Sequence, residues 1–347
     1  MNKFKKIGIL TSGGDAPGMN AIIRAVTRKA LEQNVEVVGI IGGYRGLLEE
    51  NLIPLTSISV SNIITHGGTI LYSDRCLEFK TEEGMQKAIA TCRKHSIDAI
   101  VAIGGDGTFR GATDLTIRGI PTIGISGTID NDITATDYTI GFDTAMNTVL
   151  ESVDRLRDTC ESHARCDVVE VMGRDCGQIA LLTGISTGAV AVCIPEVPFD
   201  EAFAIEKIKR AKAAGKRGMI VMVSEGVFTL DKDGKKVPYG EILRERIEAQ
   251  TGVETKFARL AHVVRGGSPS QRDRLTATKM GVHAVELLLA GKSNLVVIED
   301  RGNITSMNIV LALTIDRMYK NKLKDGDLKG FSEEEIAMMK ELCERRR

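Results

Sequence analysis

Short runs of apolar residues alternate with segments of helical periodicity along most of this chain. The segments that this pattern predicts as strands are 7–10, 35–41, 99–103, 122–125, 168–171, 190–194, 219–223 and 295–298, with the more polar 255–261 as a further candidate. After the first run, Met19, Ile22, Ile23 and Val26 recur at the spacing of one helix face. Such alternation predicts α/β architecture with mostly parallel sheets that are covered by helices on both faces.

Length and charge narrow the class of protein. A chain of 347 residues is long for a single core, which favours two lobes. The 46 basic side chains balance the 46 acidic ones, so no general affinity for nucleic acid or for an anionic membrane is expected. The sequence has no apolar run long enough for a membrane span and no signal-peptide pattern, and its seven cysteines lack CxxC spacing. We therefore expect a cytoplasmic protein with reduced thiols.

Two glycine-rich segments, 11–15 (TSGGD) and 104–108 (GGDGT), each join a predicted strand to a helix. Glycines let the backbone approach a phosphate closely, and a helix N-terminus offers unpaired N–H groups. Asp106 repels a phosphate unless Mg²⁺ lies between them, which makes it a candidate metal ligand. Tight packing alone could also place glycines here. Neither segment is a Walker A loop or a Rossmann fingerprint.

The segment 126–132 (SGTIDND) follows the next predicted strand and carries two carboxylates, Asp130 and Asp132. Two acidic residues in a loop could simply form an Asx turn. Beside a magnesium loop, they could instead remove the proton from a hydroxyl that attacks phosphorus.

Several cationic residues lie next to glycine turns or at the ends of predicted strands. Arginine offers a planar fork of donors that suits phosphate, although a single surface arginine is ordinarily just solvated. The candidates are Arg75, Arg165, Arg174, His262 and Arg265.

These motifs, in this order, resemble the bacterial-type ATP-dependent 6-phosphofructokinase family. The likeness runs from Ile7 to about Gly291 and is carried by the segments 13–20 (GGDAPGMN), 104–107 (GGDG), 127–132 (GTIDND), 172–174 (MGR) and 262–269 (HVVRGGSP). It implies two doubly wound, mostly parallel-sheet lobes with the active site in the cleft between them. Residues 1–140 and about 267–315 would bind nucleotide, and residues 141–266 and about 316–347 would bind sugar phosphate.

The resemblance also implies a role for each matching residue in transferring the γ-phosphoryl group of MgATP to fructose 6-phosphate. Asp130 would deprotonate the 1-hydroxyl, Asp106 would hold Mg²⁺ with help from Asp132, and Arg75 and Arg174 would stabilise the transferring group. The remaining implied contacts are Gly13 and Thr128 to the phosphoryl group; Cys76, Gly105, Gly107 and Thr108 to the nucleotide; and Met172, Gly173, Glu225, His262 and Arg265 to the sugar phosphate. Arg165 and Lys256 would reach that phosphate from a neighbouring subunit of a homotetramer.

Two glycines match one branch of the family, and three other features depart from the family pattern. Gly107 and Gly127 match ATP users, because pyrophosphate users usually carry Asp and Lys at these positions. Lys256 replaces the usual Arg, so we expect weaker sugar-phosphate affinity. The effector site keeps Arg24, Arg28, Arg157 and Lys216 but has Ser57, Ile58, Val190 and Ala214 in place of functional residues, which predicts weak ADP or phosphoenolpyruvate control. The polar insertion 228–240 is predicted to be a hairpin or loop without an assigned role.

Three alternatives remain open from the sequence. The nearest is a pyrophosphate-dependent or mixed-donor phosphofructokinase. An NAD or lipid kinase shares the GGDG turn, but it does not explain the arginine and histidine set. A catalytically inactive sugar-phosphate sensor would not be expected to retain Asp106, Asp130 and Arg174 together.

Overall fold

The computed structural model describes residues 4–346, and the chain divides into two units. The first unit contains the residues up to Thr128, then Ile133–Gly141, and the residues from Ser268 onward. The second unit contains Ile129–Asp132 and Phe142–Gly267.

Strands and helices alternate through both units as the hydrophobic pattern predicts. The strands are β1 (Lys6–Ser12), β2 (Glu36–Ile40), β3 (Leu52–Leu55), β4 (Ala99–Gly104), β5 (Thr122–Ser126), β6 (Cys166–Val171), β7 (Ala191–Cys193), β8 (Met219–Ser224), β9 (Phe228–Leu230), β10 (Lys236–Pro238), β11 (Thr255–Arg259), β12 (Leu295–Asp300) and β13 (Asn303–Asn308). The helices are α1 (Met19–Glu32), α2 (Tyr44–Leu48), α3 (Glu82–Lys94), α4 (Asp106–Ile117), α5 (Phe142–His163), α6 (Gln178–Ser186), α7 (Glu201–Ala213), α8 (Tyr239–Thr251), α9 (Gln271–Leu289), α10 (Ile309–Tyr319) and α11 (Glu333–Arg346), with short 3₁₀ turns at Ile63–Thr65, Glu78–Lys80 and Ala261–Arg265. Over residues 4–346, no helix is both long and apolar enough to cross a membrane.

The first unit is built on a seven-stranded sheet with the order β13-β12-β5-β4-β1-β2-β3. The five inner strands are parallel, and β3 and β13 pair antiparallel at the two edges. Every residue of β4 and β5 is buried, as expected for strands with helices on both faces. The edge strands were not predicted, because β13 (NITSMN) is polar and β3 contains Pro54.

The second unit holds a four-stranded parallel sheet with the order β11-β6-β8-β7. Its core packs buried side chains of β6 and β8, such as Val168 and Val221, against Ile205 and Ile208 of α7 and Leu243 of α8. The insertion 228–240 forms the predicted hairpin, in which β9 and β10 pair antiparallel around a turn at 231–235.

The C-terminal segment corrects the predicted division of the chain. Residues 316–347 were assigned to the sugar-phosphate lobe, but the residues from Ser268 onward belong to the first unit. The reason is a small apolar cluster in which Ile315 of α10 packs with Met339 and Cys343 of α11. A second difference is local, since residues 129–132 belong to the second unit although 1–140 was predicted to form one lobe.

The N-terminus of α7 offers a test of the second unit. Asp200 is the N-cap, and its Oδ1 accepts a hydrogen bond from the Phe203 amide at 2.9 Å. We expect Asp200→Ala to lower the free energy of unfolding by about 1 kcal/mol, because a donor at the helix start loses its partner. Asp200→Asn keeps an accepting oxygen and should change it much less. Equal losses in urea titrations of both variants would contradict this role of the cap.

Candidate active site

The two phosphate-type loops of the first unit lie side by side. Parallel pairing of β1 with β4 places Ser12 opposite Gly104, so both loops leave the same edge of the sheet. Thr108 Oγ1 donates to the Ser12 carbonyl at 3.1 Å and ties the loops together. Gly104 leaves no room for a side chain, because a Cβ there would lie 2.4 Å from that same carbonyl oxygen. The predicted loops are thus neighbours within this unit.

Arg75 and Cys76 approach the same loops through a third segment. Ser73 Oγ donates to the Gly13 carbonyl, and the Arg75 amide donates to Asp74 Oδ1 at 2.6 Å. The Arg75 side chain is exposed. Cys76, by contrast, is half-buried and packs against the core of the unit. Ser73 therefore ties this segment to Gly13, two residues before Arg75, and the implied nucleotide contact of Cys76 stays a prediction.

Asp106 has surroundings that suit a magnesium ligand. It is the first residue of α4, half-buried at the end of β4, and Gly105 precedes it as the N-cap. The next residue, Gly107, is exposed, and a Cβ there would meet nothing within 4 Å. Mg²⁺ is commonly held by one or two carboxylates, with phosphate oxygens and water completing its shell. The Asp106 carboxylate, next to the open space at Gly107, fits this coordination pattern.

The hydroxyl of Thr108 is used inside the first unit, and the implied contact of this residue with the nucleotide stays a prediction. Its side chain is buried, and its hydroxyl is engaged with the Ser12 carbonyl. Its own carbonyl accepts a hydrogen bond from Tyr44 Oη at 2.6 Å. Thr108 therefore holds the loops in position.

The carboxylate of Asp130 is the most deeply buried acid among the candidates. Its residue is only 1% exposed, and Arg174 Nε lies 3.2 Å from Asp130 Oδ2. Burial raises the pKa of Asp130 above its ordinary value, and the nearby charge of Asp132 adds to that effect. Arg174 and Arg265 act in the opposite direction. Of the two predicted carboxylates, Asp130 is thus buried, whereas Asp132 is half-buried.

The backbone of Arg174 forms a turn that the side chain of Glu225 stabilises. The residue adopts a left-handed conformation with φ 53°, which costs a non-glycine residue free energy unless its surroundings enforce it. Glu225 Oε1 accepts hydrogen bonds from the amides of Gly173 and Arg174 at 3.1 and 2.9 Å. Strands β6 and β8 pair in parallel, so 172–174 and Glu225 follow neighbouring strand ends. The MGR motif is thus a backbone turn that Glu225 stabilises.

The remaining loop residues are positioned by similar local contacts. Asn131 also has a positive φ, 48°, which asparagine tolerates, and its Nδ2 donates to Gln178 Oε1 at 2.7 Å. Thr128, at the other end of the motif, accepts a hydrogen bond from Thr139 Oγ1 at its carbonyl. His262 is exposed and Arg265 is half-buried, both on the 3₁₀ turn that follows β11. Met172 is 9% exposed.

A small cavity opens beside Arg174 and Glu225. It has a volume of about 260 Å³, and its lining includes Phe228, Lys236 and Pro238 from the β9–β10 hairpin. Lys236 Nζ lies 3.6 Å from the centre of the Phe228 ring. The hairpin that the sequence left without a role is therefore one wall of this cavity.

Arg165 and Lys256 lie where the strands of the second sheet begin, whereas the MGR turn lies where they end. Arg165 immediately precedes β6, and Lys256 pairs with Asp167 at the beginning of β11. The MGR turn follows the other end of β6, so the length of a six-residue strand, roughly 20 Å, separates the two groups. Within one chain they are not brought together with Arg174. Glu254, which belongs to no motif of the sequence, pairs with both cations and stands two positions before Lys256.

Part of the predicted effector set lines a cavity of about 540 Å³ in the first unit. Arg24, Arg28 and Lys29 contribute cationic side chains, and Ser57 stands where the family resemblance implies an arginine. Burial lowers the pKa of Arg24, and the charge of Arg28 lowers it further. Weak effector control remains a prediction.

The raised pKa of Asp130 implies that its charge costs stability. A raised native-state pKa means that ionisation disfavours the folded state, and the penalty grows as pH rises from the unfolded-state pKa to the native one. Asp130→Asn should therefore raise the melting temperature at neutral pH, with the gain fading in acid. The exposed Asp233 offers the control, since Asp233→Asn should have no such pH-dependent gain. A melting temperature that falls in neutral buffer would refute this reading.

The sequence of this chain resembles known phosphofructokinases. A family model described as Phosphofructokinase matches residues 6–288. The chain is 49% identical over 320 residues to ATP-dependent 6-phosphofructokinase 1 of Clostridium perfringens, covering 92% of this chain and 97% of that protein. It is 51% identical over 289 residues to ATP-dependent 6-phosphofructokinase of Bacillus subtilis, covering 83% and 88%.

A solved structure of phosphofructokinase from Saccharomyces cerevisiae matches with a TM-score of 0.84 and 32% identity, over 97% of this chain and 50% of the yeast chain. A pyrophosphate-dependent phosphofructokinase from Marinobacter aquaeolei, 24% identical with a TM-score of 0.77 over 88% of this chain and 83% of that one, shares the fold. The mostly parallel α/β fold, the loop motifs and these matches agree, and the chain belongs to the phosphofructokinase family.

Proposed function

We propose that this chain is an ATP-dependent 6-phosphofructokinase, which transfers the γ-phosphoryl group of ATP to the 1-hydroxyl of fructose 6-phosphate. The products are fructose 1,6-bisphosphate and ADP. The observation that carries the proposal is the buried carboxylate of Asp130, with Arg174 Nε 3.2 Å away. A general base and a cation for the transferring phosphoryl group are the two elements that this reaction needs most.

In the proposed mechanism, Asp130 accepts the proton of the sugar hydroxyl as that oxygen attacks phosphorus. A raised pKa suits this task, because a base works best when its pKa is near the working pH. Arg174, together with Arg75, stabilises the charge that develops on the equatorial oxygens. The amide of Gly13 and the hydroxyl of Thr128 would hydrogen-bond the same group.

Asp106 would hold Mg²⁺, with Asp132 as a further carboxylate, and the ion would neutralise charge on the nucleotide phosphates. Gly105 and Gly107 would face the nucleotide through their backbone. The sugar phosphate would be held by Met172, Gly173, Glu225, His262 and Arg265. Exposure of His262 and its place on one 3₁₀ turn with Arg265 support a shared phosphate contact.

Two glycines support ATP over pyrophosphate as the donor. The open space around Gly107 leaves room for a nucleotide, and an aspartate at that position would project into it. A Cβ at Gly127 would lie 3.1 Å from side-chain atoms of Ile103 and Met19, so a lysine there would need its neighbours to move. Both positions match the pattern of ATP users.

We also propose a homotetramer in the cytoplasm. The separation of Arg165 and Lys256 from Arg174 along β6 supports a role for these two cations in binding the sugar phosphate of a neighbouring copy. Analytical ultracentrifugation of the purified chain tests the assembly.

A coupled assay with fructose 6-phosphate tests the donor. We expect turnover with MgATP, loss of turnover when EDTA removes the metal, and little or no turnover with pyrophosphate. Tagatose 6-phosphate and sedoheptulose 7-phosphate as acceptors would define the range of sugars. Turnover with pyrophosphate but not with MgATP would refute the assignment.

Replacing the base tests the mechanism. Asp130→Asn should lower kcat by a factor of about 10² to 10⁴, because an amide cannot accept the proton. ATP affinity, measured by calorimetry, should change far less. Asp233→Asn, on the exposed hairpin turn, should retain parental kcat. Retention of kcat in Asp130→Asn would mean that another group is the base.

A further inference from the structure

One carboxylate joins the two cations at the N-terminal edge of the second sheet. Glu254 Oε2 lies 2.9 Å from Arg165 Nε, and Glu254 Oε1 lies 2.9 Å from Lys256 Nζ. Each carboxylate oxygen therefore forms an ion pair with a different cation. The adjacent cations Arg165 and Lys256 lower the pKa of Glu254 to about 2, so it is ionised throughout the physiological range.

Backbone contacts that do not involve this carboxylate fix the main chain at both cations. The Arg165 amide donates to the Cys160 carbonyl at 2.9 Å, and the Arg165 carbonyl accepts from the Met219 amide at 3.1 Å. Lys256 is fixed by the parallel pairing of β11 with β6. The side chain of Glu254 is 44% exposed, so it can turn into water while its carbonyl keeps the hydrogen bond from the Cys166 amide.

A second acid makes the local charge balance depend on Glu254. Asp167, beside Lys256 in the strand pairing, is only 4% exposed and cannot turn away. Arg165, Lys256, Glu254 and Asp167 together carry no net formal charge when all are ionised. Once Glu254 turns away, the remaining three carry one positive charge. An incoming phosphate would meet attraction only in the second arrangement.

We propose that Glu254 is a built-in counter-anion that competes with the sugar phosphate for Arg165 and Lys256, and thereby sets the sugar-phosphate affinity. This inference rests on the proposed function, in which these two cations bind that phosphate. Glu254 contacts the Arg165 guanidinium and the Lys256 ammonium, the same two groups that a phosphate would contact. Binding of the sugar phosphate must then either displace the Glu254 carboxylate or occur against the repulsion between the two anions.

The size of the effect follows from the exposure of the ion pairs. Solvent-exposed pairs contribute little each, so releasing two of them corresponds to an affinity change of about threefold to tenfold. Glu254→Gln should therefore lower the KM for fructose 6-phosphate by that factor and leave kcat and the KM for ATP unchanged. The ratio between variant and parent should shrink as salt screens the charges.

Glu248 provides a matched control on α8. Its side chain is also 44% exposed and pairs with Arg244 at 3.3 Å, so Glu248→Gln removes a comparable ion pair elsewhere. Calorimetric titration of the full-length protein with fructose 6-phosphate measures affinity directly. We expect tighter binding in Glu254→Gln and in Glu254→Ala, and parental binding in Glu248→Gln. A weaker or unchanged affinity in both Glu254 variants would overturn the inference, because it would make Glu254 a support for the cations or irrelevant to them.

Substitution of the cations separates this inference from the proposed function. In the proposed function, Arg165→Gln and Lys256→Gln each weaken fructose 6-phosphate binding. If Glu254 acts by competing for these cations, Glu254→Gln does not raise fructose 6-phosphate affinity once both cations are replaced. If the cation variants bind like the parent, the assignment of the two cations fails. If they bind weakly and Glu254→Gln does not tighten binding, the competition alone fails.

Discussion

The chemistry of the second unit depends on a carboxylate that is buried against a strained arginine. Asp130 would hold its proton too weakly to be a good base if it were in water, and it would be costly to ionise if it were buried alone. Arg174 provides the compensating charge, and its left-handed backbone is stabilised by the two hydrogen bonds to Glu225. Three sequence segments, from a loop and two strand ends, therefore act as one unit. A change at Glu225 would reach Asp130 through the backbone of Arg174.

Much of the framework could be predicted from hydrophobic pattern. Short apolar runs that end at turn residues, such as those of β4 and β8, are typical of buried strands, and glycine and aspartate clusters after such runs indicate ligand loops. The motifs 104–107 and 127–132 carried most of the site assignment. The pattern could not reveal β13, because a polar edge strand is defined by its partner and not by its own sequence. The same holds for α11, whose place in the first unit depends on the side chains of α10.

The site was predictable in its residue types but less so in their contacts. Thr108 stands two positions after Asp106 in a phosphate-type loop, yet its hydroxyl donates to the Ser12 carbonyl. The role of Glu254 could not be predicted from the sequence, because a glutamate near two cations has no motif of its own. Its importance appears only when the pairing of β6 with β11 brings Arg165 and Lys256 to one carboxylate. Sequence indicates which groups are available, and strand register decides which of them meet.

The β9–β10 hairpin pairs with no strand of the four-stranded sheet within the described residues, although it begins only a few residues after β8. Its residues can therefore be exchanged, or its turn lengthened, without shifting the register that places Glu225 at the end of β8. Yet Phe228, Lys236 and Pro238 form a wall of the cavity beside Arg174. The hairpin is thus an independently variable part, through which the shape of that cavity can diverge between related chains while the reacting groups stay fixed.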